Sequence, residues 1–154
     1  MHATVLAPQV WQRWREARQL GLLATFEDSS TGSRVKEFCR DLSRQLGQDC
    51  RIIEHVWLFN MLRLRELREI AAEEAAAADL IVICLHDAES LPEDVKAWVG
   101  LWLRQKGTRK PVLLALLEPS REGAVRTVET CLQKIARDGG IELLVDSWPE
   151  AEGR

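Results

Sequence analysis

The chain has 154 residues, 46% hydrophobic and 29% charged, with 24 acidic against 21 basic side chains, six tryptophans and no tyrosine. A domain of this length buries roughly 70% of the surface its unfolded chain exposes, so one soluble globular domain needs neither disulfides nor structural zinc. The net charge of −3 argues against nonspecific binding to nucleic acid or an anionic membrane, both of which depend on positive charge.

Residues 1–19 read as an N-terminal helical segment in which Trp11 and Trp14 share a face, either packed on the domain or serving as a docking arm. An apolar run at 20–26 predicts the first strand and leads into a polar loop, 27–33. Val35, Phe38, Leu42 and Leu46 then recur at helical spacing, and Gly47 ends that helix. Residues 51–59 suit a strand at a sheet edge, and 61–78 are rich in strong helix formers. Asp79 opens the continuous run 80–85, the pattern of a parallel strand covered on both faces. A third helix is predicted from about Ser90, where Ser90 and Glu93 have capping-box spacing, with Val95, Trp98, Val99 and Trp102 as its apolar stripe. The run 112–117 is a further strand. Val125, Val128, Leu132 and Ile135 mark a fourth helix, stopped at Gly139 and Gly140, before a last strand at 141–145.

Strands alternating with helices imply a parallel sheet with right-handed crossovers. The first, third and fourth strands are the most apolar and belong in the centre. This predicts a three-layer, doubly wound α/β domain over 20–149 with five strands in the order 2-1-3-4-5, followed by an acidic tail at 150–154. No apolar run approaches the ~20 residues needed to span a bilayer, and the start of the chain lacks the pattern of a secretory leader. Cys39, Cys50, Cys84 and Cys131 are widely spaced and read as reduced thiols of a cytoplasmic protein.

In such a sheet, ligands bind at the carboxyl ends of the strands. The loop after the first strand carries Ser29, Ser30, Thr31, Gly32 and Ser33 just before a helix, a setting that favours an anion. It resembles the first loop of flavodoxins, a hydroxyl-rich turn that cradles the FMN phosphate. Arg34 stands where that family has threonine, and the loops 87–92 and 118–123 have no aromatic residue to flank a flavin. A serine-rich turn that only caps the helix is the plainer reading.

Glu27 and Asp28 also resemble the acidic pair that holds Mg²⁺ in response-regulator receiver domains, with Asp87 the remaining metal-ligand candidate. Cys84 stands at the position of the receivers' phosphoacceptor aspartate, and Asp146 where they keep a lysine; Ser120 suits their hydroxyl position. The resemblance therefore implies a degenerate receiver. Toll/interleukin receptor-type domains are similar in outline, but the glutamate of their NAD-cleaving members is absent after Trp98.

On the predicted topology Glu27, Asp28, Asp87, Glu89, Glu118, Glu122 and Asp146 share one rim, which favours a divalent cation over a bare nucleotide. Arg104, Lys106, Arg109 and Lys110 lie at the opposite end. His86 beside Asp87 is a candidate general base with no identified nucleophile, and no G-x-S-x-G, Walker A or G-x-G-x-x-G sequence is present. The expectation is a noncatalytic regulatory or protein-interaction module with a protein partner, with homodimerisation open. The alternative is a small FMN- or phosphate-binding protein. Trp98 and Trp102 are expected in the core, whereas Trp11, Trp14, Trp57 and Trp148 are candidates for a contact surface.

Overall fold

The computed structural model describes Trp14 and residues 17–85, 91–117 and 124–147, the side chains of 124–127 excepted, and alternates strand and helix as the apolar runs predict. In chain order the elements are β1 (Gln19–Phe26), α1 (Ser29–Leu46), β2 (Arg51–Leu58), a 3-10 turn (Phe59–Arg63), α2 (Arg65–Ala76), β3 (Leu80–Leu85), α3 (Glu93–Gln105), β4 (Val112–Leu117), α4 (Ala124–Gly139) and β5 (Glu142–Ser147). The strands form one parallel sheet in the order β2-β1-β3-β4-β5, the flavodoxin-like arrangement.

Crossover handedness decides which face each helix covers. The step from β1 out to β2 puts α1 on one face, and the return to β3, followed by two further steps in the same direction, puts α2, α3 and α4 on the other. Two cores result. Leu23, Ile81, Ile83, Leu113 and Ala115 meet the three-helix side, and Leu22, Ala24, Val82, Leu114 and Leu116 meet α1. The unbroken apolar runs of β3 and β4 follow from this, because both faces of those strands are buried.

Trp14 belongs to the second core at 4% exposure, packed on the same side as α1. Of the two readings of the N-terminal segment, Trp14 follows packing on the domain, and its place among the contact-surface candidates is corrected: its indole is removed from water in the core that holds Leu20 and Val112. Trp98 and Trp102 are wholly buried, as their spacing predicts, in an edge-to-face pair with ring centroids 6.0 Å apart.

The strand ends shift by at most two residues from the predicted ones, and three helix boundaries differ. The stretch 61–78 is not one helix, because Leu64 is extended (φ −87°, ψ 124°) and separates the 3-10 turn from α2. No glycine or proline marks that break. The third helix starts at Glu93, with Pro92 at its N-cap and no side-chain cap; Ser90 lies outside the described residues. Helix α1 starts at Ser29, inside the stretch read as a loop. No helix among the described residues is long and apolar enough to cross a membrane.

Candidate functional site

The first loop is shorter than its sequence implies because its polar residues build the start of α1. Asp28 is the N-cap, extended at φ −156°, and its Oδ1 accepts the backbone N–H of Thr31 at 3.0 Å. Thr31 Oγ1 in turn accepts the backbone N–H groups of Glu27 and Asp28, each at 2.9 Å. Donors that the end of a helix would leave unpaired are thus satisfied within four residues. Thr31 is wholly buried by this arrangement.

Gly32 has a separate cause. A Cβ at that position would lie 3.0 Å from the Phe26 ring, so the absence of a side chain lets the end of β1 pack against the first turn of α1. Ser33 Oγ donates to the Ser29 carbonyl at 3.2 Å. Ser29 and Ser30 present exposed side chains at the positive end of the helix dipole. Arg34, at the position of the flavodoxins' threonine, pairs with Glu37 at 3.3 Å.

Of the acidic rim, Glu27, Asp28 and Asp146 are described; Asp87, Glu89, Glu118 and Glu122 are outside the described residues, as are His86, Ser120 and Trp148. Asp146 sits on β5 opposite Leu116, with β4 and β3 intervening between β5 and β1. Three interstrand spacings amount to roughly 14 Å, too far for Asp146 and the Glu27–Asp28 pair to share one cation. The described residues contain no cluster of three or more His, Cys, Asp or Glu side chains able to hold a metal ion.

The end of β3 offers a thiol in an apolar setting. Cys84 is wholly buried in the core on the α1 side, and Leu85 beyond it is buried on the other. Cys39 of α1 is also buried, and its pKa is pushed up to about 12, first by desolvation and then by the charge and hydrogen bond of Glu54. Burial and the charge of Asp79 likewise push the Cys50 thiol up. Neither is poised as a nucleophile at neutral pH.

At the opposite end of the sheet the structure ties groups together that no local spacing reveals. Asp79 accepts the Gly21 N–H at 2.8 Å, while Arg109 donates to the Ala77 carbonyl at 2.8 Å and lies 3.5 Å from Asp79. Lys106 donates to the carbonyls of Gly107 and Arg109. Two of the four basic residues are thereby fixed on backbone carbonyls. A cavity of about 260 Å³ opens there, lined by Trp14, Ala78, Asp79, Arg109, Lys110 and Pro111. On β2, Trp57 donates its indole N–H to Glu74 at 2.8 Å, and His55 Nδ1 lies 3.4 Å from the same carboxylate.

Fold and strand order define a doubly wound α/β domain of flavodoxin-like topology. No protein-family model matches the chain, and no curated protein matches it significantly.

Proposed function

We propose that this domain is a noncatalytic regulatory or protein-interaction module of the cytoplasm, resembling a receiver that has lost its phosphoryl chemistry. The observation that carries the reading is the use of Asp28: the carboxylate that a receiver would turn to Mg²⁺ caps α1 through Thr31 instead. The buried thiol of Cys84, at the position of the phosphoacceptor, supports it. A thiol shut inside a core has neither the exposure nor the charge to take up a phosphoryl group and report it to a surface.

A second reading, a small FMN- or phosphate-binding protein, draws on the exposed Ser29 and Ser30 at the N-terminus of α1. Thermal unfolding with and without FMN separates the two. A ligand present at about 100 times its Kd adds about 2.7 kcal/mol of stability. The regulatory reading expects a colourless protein whose melting temperature is indifferent to FMN, and a clear upward shift would favour the flavoprotein. For Mg²⁺ it expects weak binding at most, lost in Asp28→Ala.

A further inference from the structure

Among the described residues β2 is the outer strand of the sheet on its side, eight residues long and without proline or lysine to discourage pairing. Val56 on it is 51% exposed, and the exposed Met61, Leu64 and Ile70 follow on the turn and helix leading away from it. Ile70 stands one turn before Glu74, on the side of α2 that faces β2.

The backbone sets which groups this edge offers. Arg51 donates its N–H to the Arg18 carbonyl at 2.9 Å, in register with Gln19. Arg51, Ile53, His55 and Trp57 therefore spend their backbone groups on β1, and Ile52, Glu54, Val56 and Leu58 turn theirs outward.

We infer that the occupant of this edge is β2 of a second copy of the chain, antiparallel and centred on His55. An antiparallel pair related by a twofold axis must place each residue opposite one from the same sheet face, so the axis passes through a single position. The two longest overlaps are 51–57 centred on Glu54 and 52–58 centred on His55. The first sets two Glu54 carboxylates directly opposite each other, which is destabilising. The second sets Ile52 against Leu58 on the α1 face and Ile53 against Trp57 on the α2 face. It also aligns the outward backbone groups of Glu54 with those of Val56, and of Ile52 with those of Leu58, each twice by symmetry. The Glu54 register forms one such pair fewer. The same register sets Glu54 opposite Val56, so β2 meets its own reverse with two kinds of apolar pair and a full set of edge hydrogen bonds and without opposing two carboxylates, which favours a second copy over an unrelated strand. The pairing deepens the interaction part of the proposed function by naming a partner, and makes one continuous sheet from the two copies.

Sedimentation velocity over a wide concentration series tests it. The unmodified chain is expected to show a monomer–dimer equilibrium. Val56→Pro removes an outward N–H and leaves the bonds to β1 intact, and Val56→Glu sets a carboxylate directly opposite Glu54 of the second copy; each should abolish the dimer with the far-UV circular dichroism unchanged. In the predicted register the two His55 positions form a narrow, non-hydrogen-bonded pair with Cα atoms about 4.5 Å apart, within disulfide reach. His55→Cys should therefore cross-link under mild oxidation, and Val145→Cys on the opposite edge should not. A folded chain that stays monomeric throughout, a dimer that survives both Val56 variants, or equal cross-linking at the two edges would overturn the inference. Those outcomes leave the noncatalytic reading standing, since phosphoryl incorporation and flavin binding test it separately.

Discussion

Asp28 and Thr31 hold each other across the first turn of α1: the Asp28 carboxylate accepts the Thr31 N–H at 3.0 Å, and the Thr31 hydroxyl accepts the Asp28 N–H at 2.9 Å. The relationship gives a metal candidate, Asp28, and a ligand-binding candidate, Thr31, a structural role. Asp28→Ala is expected to cost about 0.5–2 kcal/mol in urea unfolding, and Asp28→Asn much less, because asparagine also caps. Thr31→Val should cost about 1–3 kcal/mol, since it leaves the N–H groups of Glu27 and Asp28 without their acceptor. Wild-type stability in either alanine or valine variant would show that the cap contributes little.

Gly32 and Phe26 should be energetically coupled. Replacing glycine by alanine inside a helix ordinarily stabilises by about 1 kcal/mol. Here the new methyl meets the Phe26 ring at 3.0 Å, so Gly32→Ala is expected to yield no gain. In a Phe26→Leu background the gain should return. Equal effects in the two backgrounds, measured as a double-mutant cycle, would mean that the ring moves aside freely.

The parallel sheet, its strand order and the burial of Trp98 and Trp102 were legible because they rest on periodicity: unbroken apolar runs for covered strands and three-four spacing for helices. The use of the first loop was not. Asp28, Thr31 and Gly32 have the same composition whether they cradle an anion or cap a helix. The cap itself shows only in the position of Phe26 and the direction of the Thr31 hydroxyl. Contacts between distant positions were also silent, as with Trp57 and Glu74 or Arg109 and the Ala77 carbonyl, because neither residue signals its partner locally. The break at Leu64 depends on a backbone turn made without glycine or proline.

Cys39 should make stability depend on alkaline pH. Its thiol is pushed from 9.0 up to about 12 in the fold, so the folded chain keeps the proton longer than the unfolded one. The contribution is complete below pH 9.0 and is lost as pH rises from there towards about 12. Cys39→Ala should flatten this fall in unfolding free energy, with Cys50 sustaining part of it because its pKa is raised as well. An identical pH profile in Cys39→Ala would contradict the assignment.

Trp102 is predicted to tolerate phenylalanine. Its Nε1, like that of Trp98, is buried without a hydrogen-bond partner among the described residues, so removing the N–H forfeits no bond and relieves an unsatisfied donor. Trp102→Ala should cost about 3–5 kcal/mol by cavity formation, and Trp102→Phe less than half of that. Equal losses in equilibrium unfolding would show that the indole N–H contributes to the fold.

On the proposed reading the carboxyl end of the sheet performs no phosphoryl chemistry. Intact-mass spectrometry of the native chain after incubation with acetyl phosphate and Mg²⁺ tests it most directly. With Asp28 engaged in the cap and Cys84 sealed in the core, the mass should remain that of the unmodified chain. A stable, Mg²⁺-dependent gain of one phosphoryl group, absent in Asp28→Ala, would show a working receiver instead.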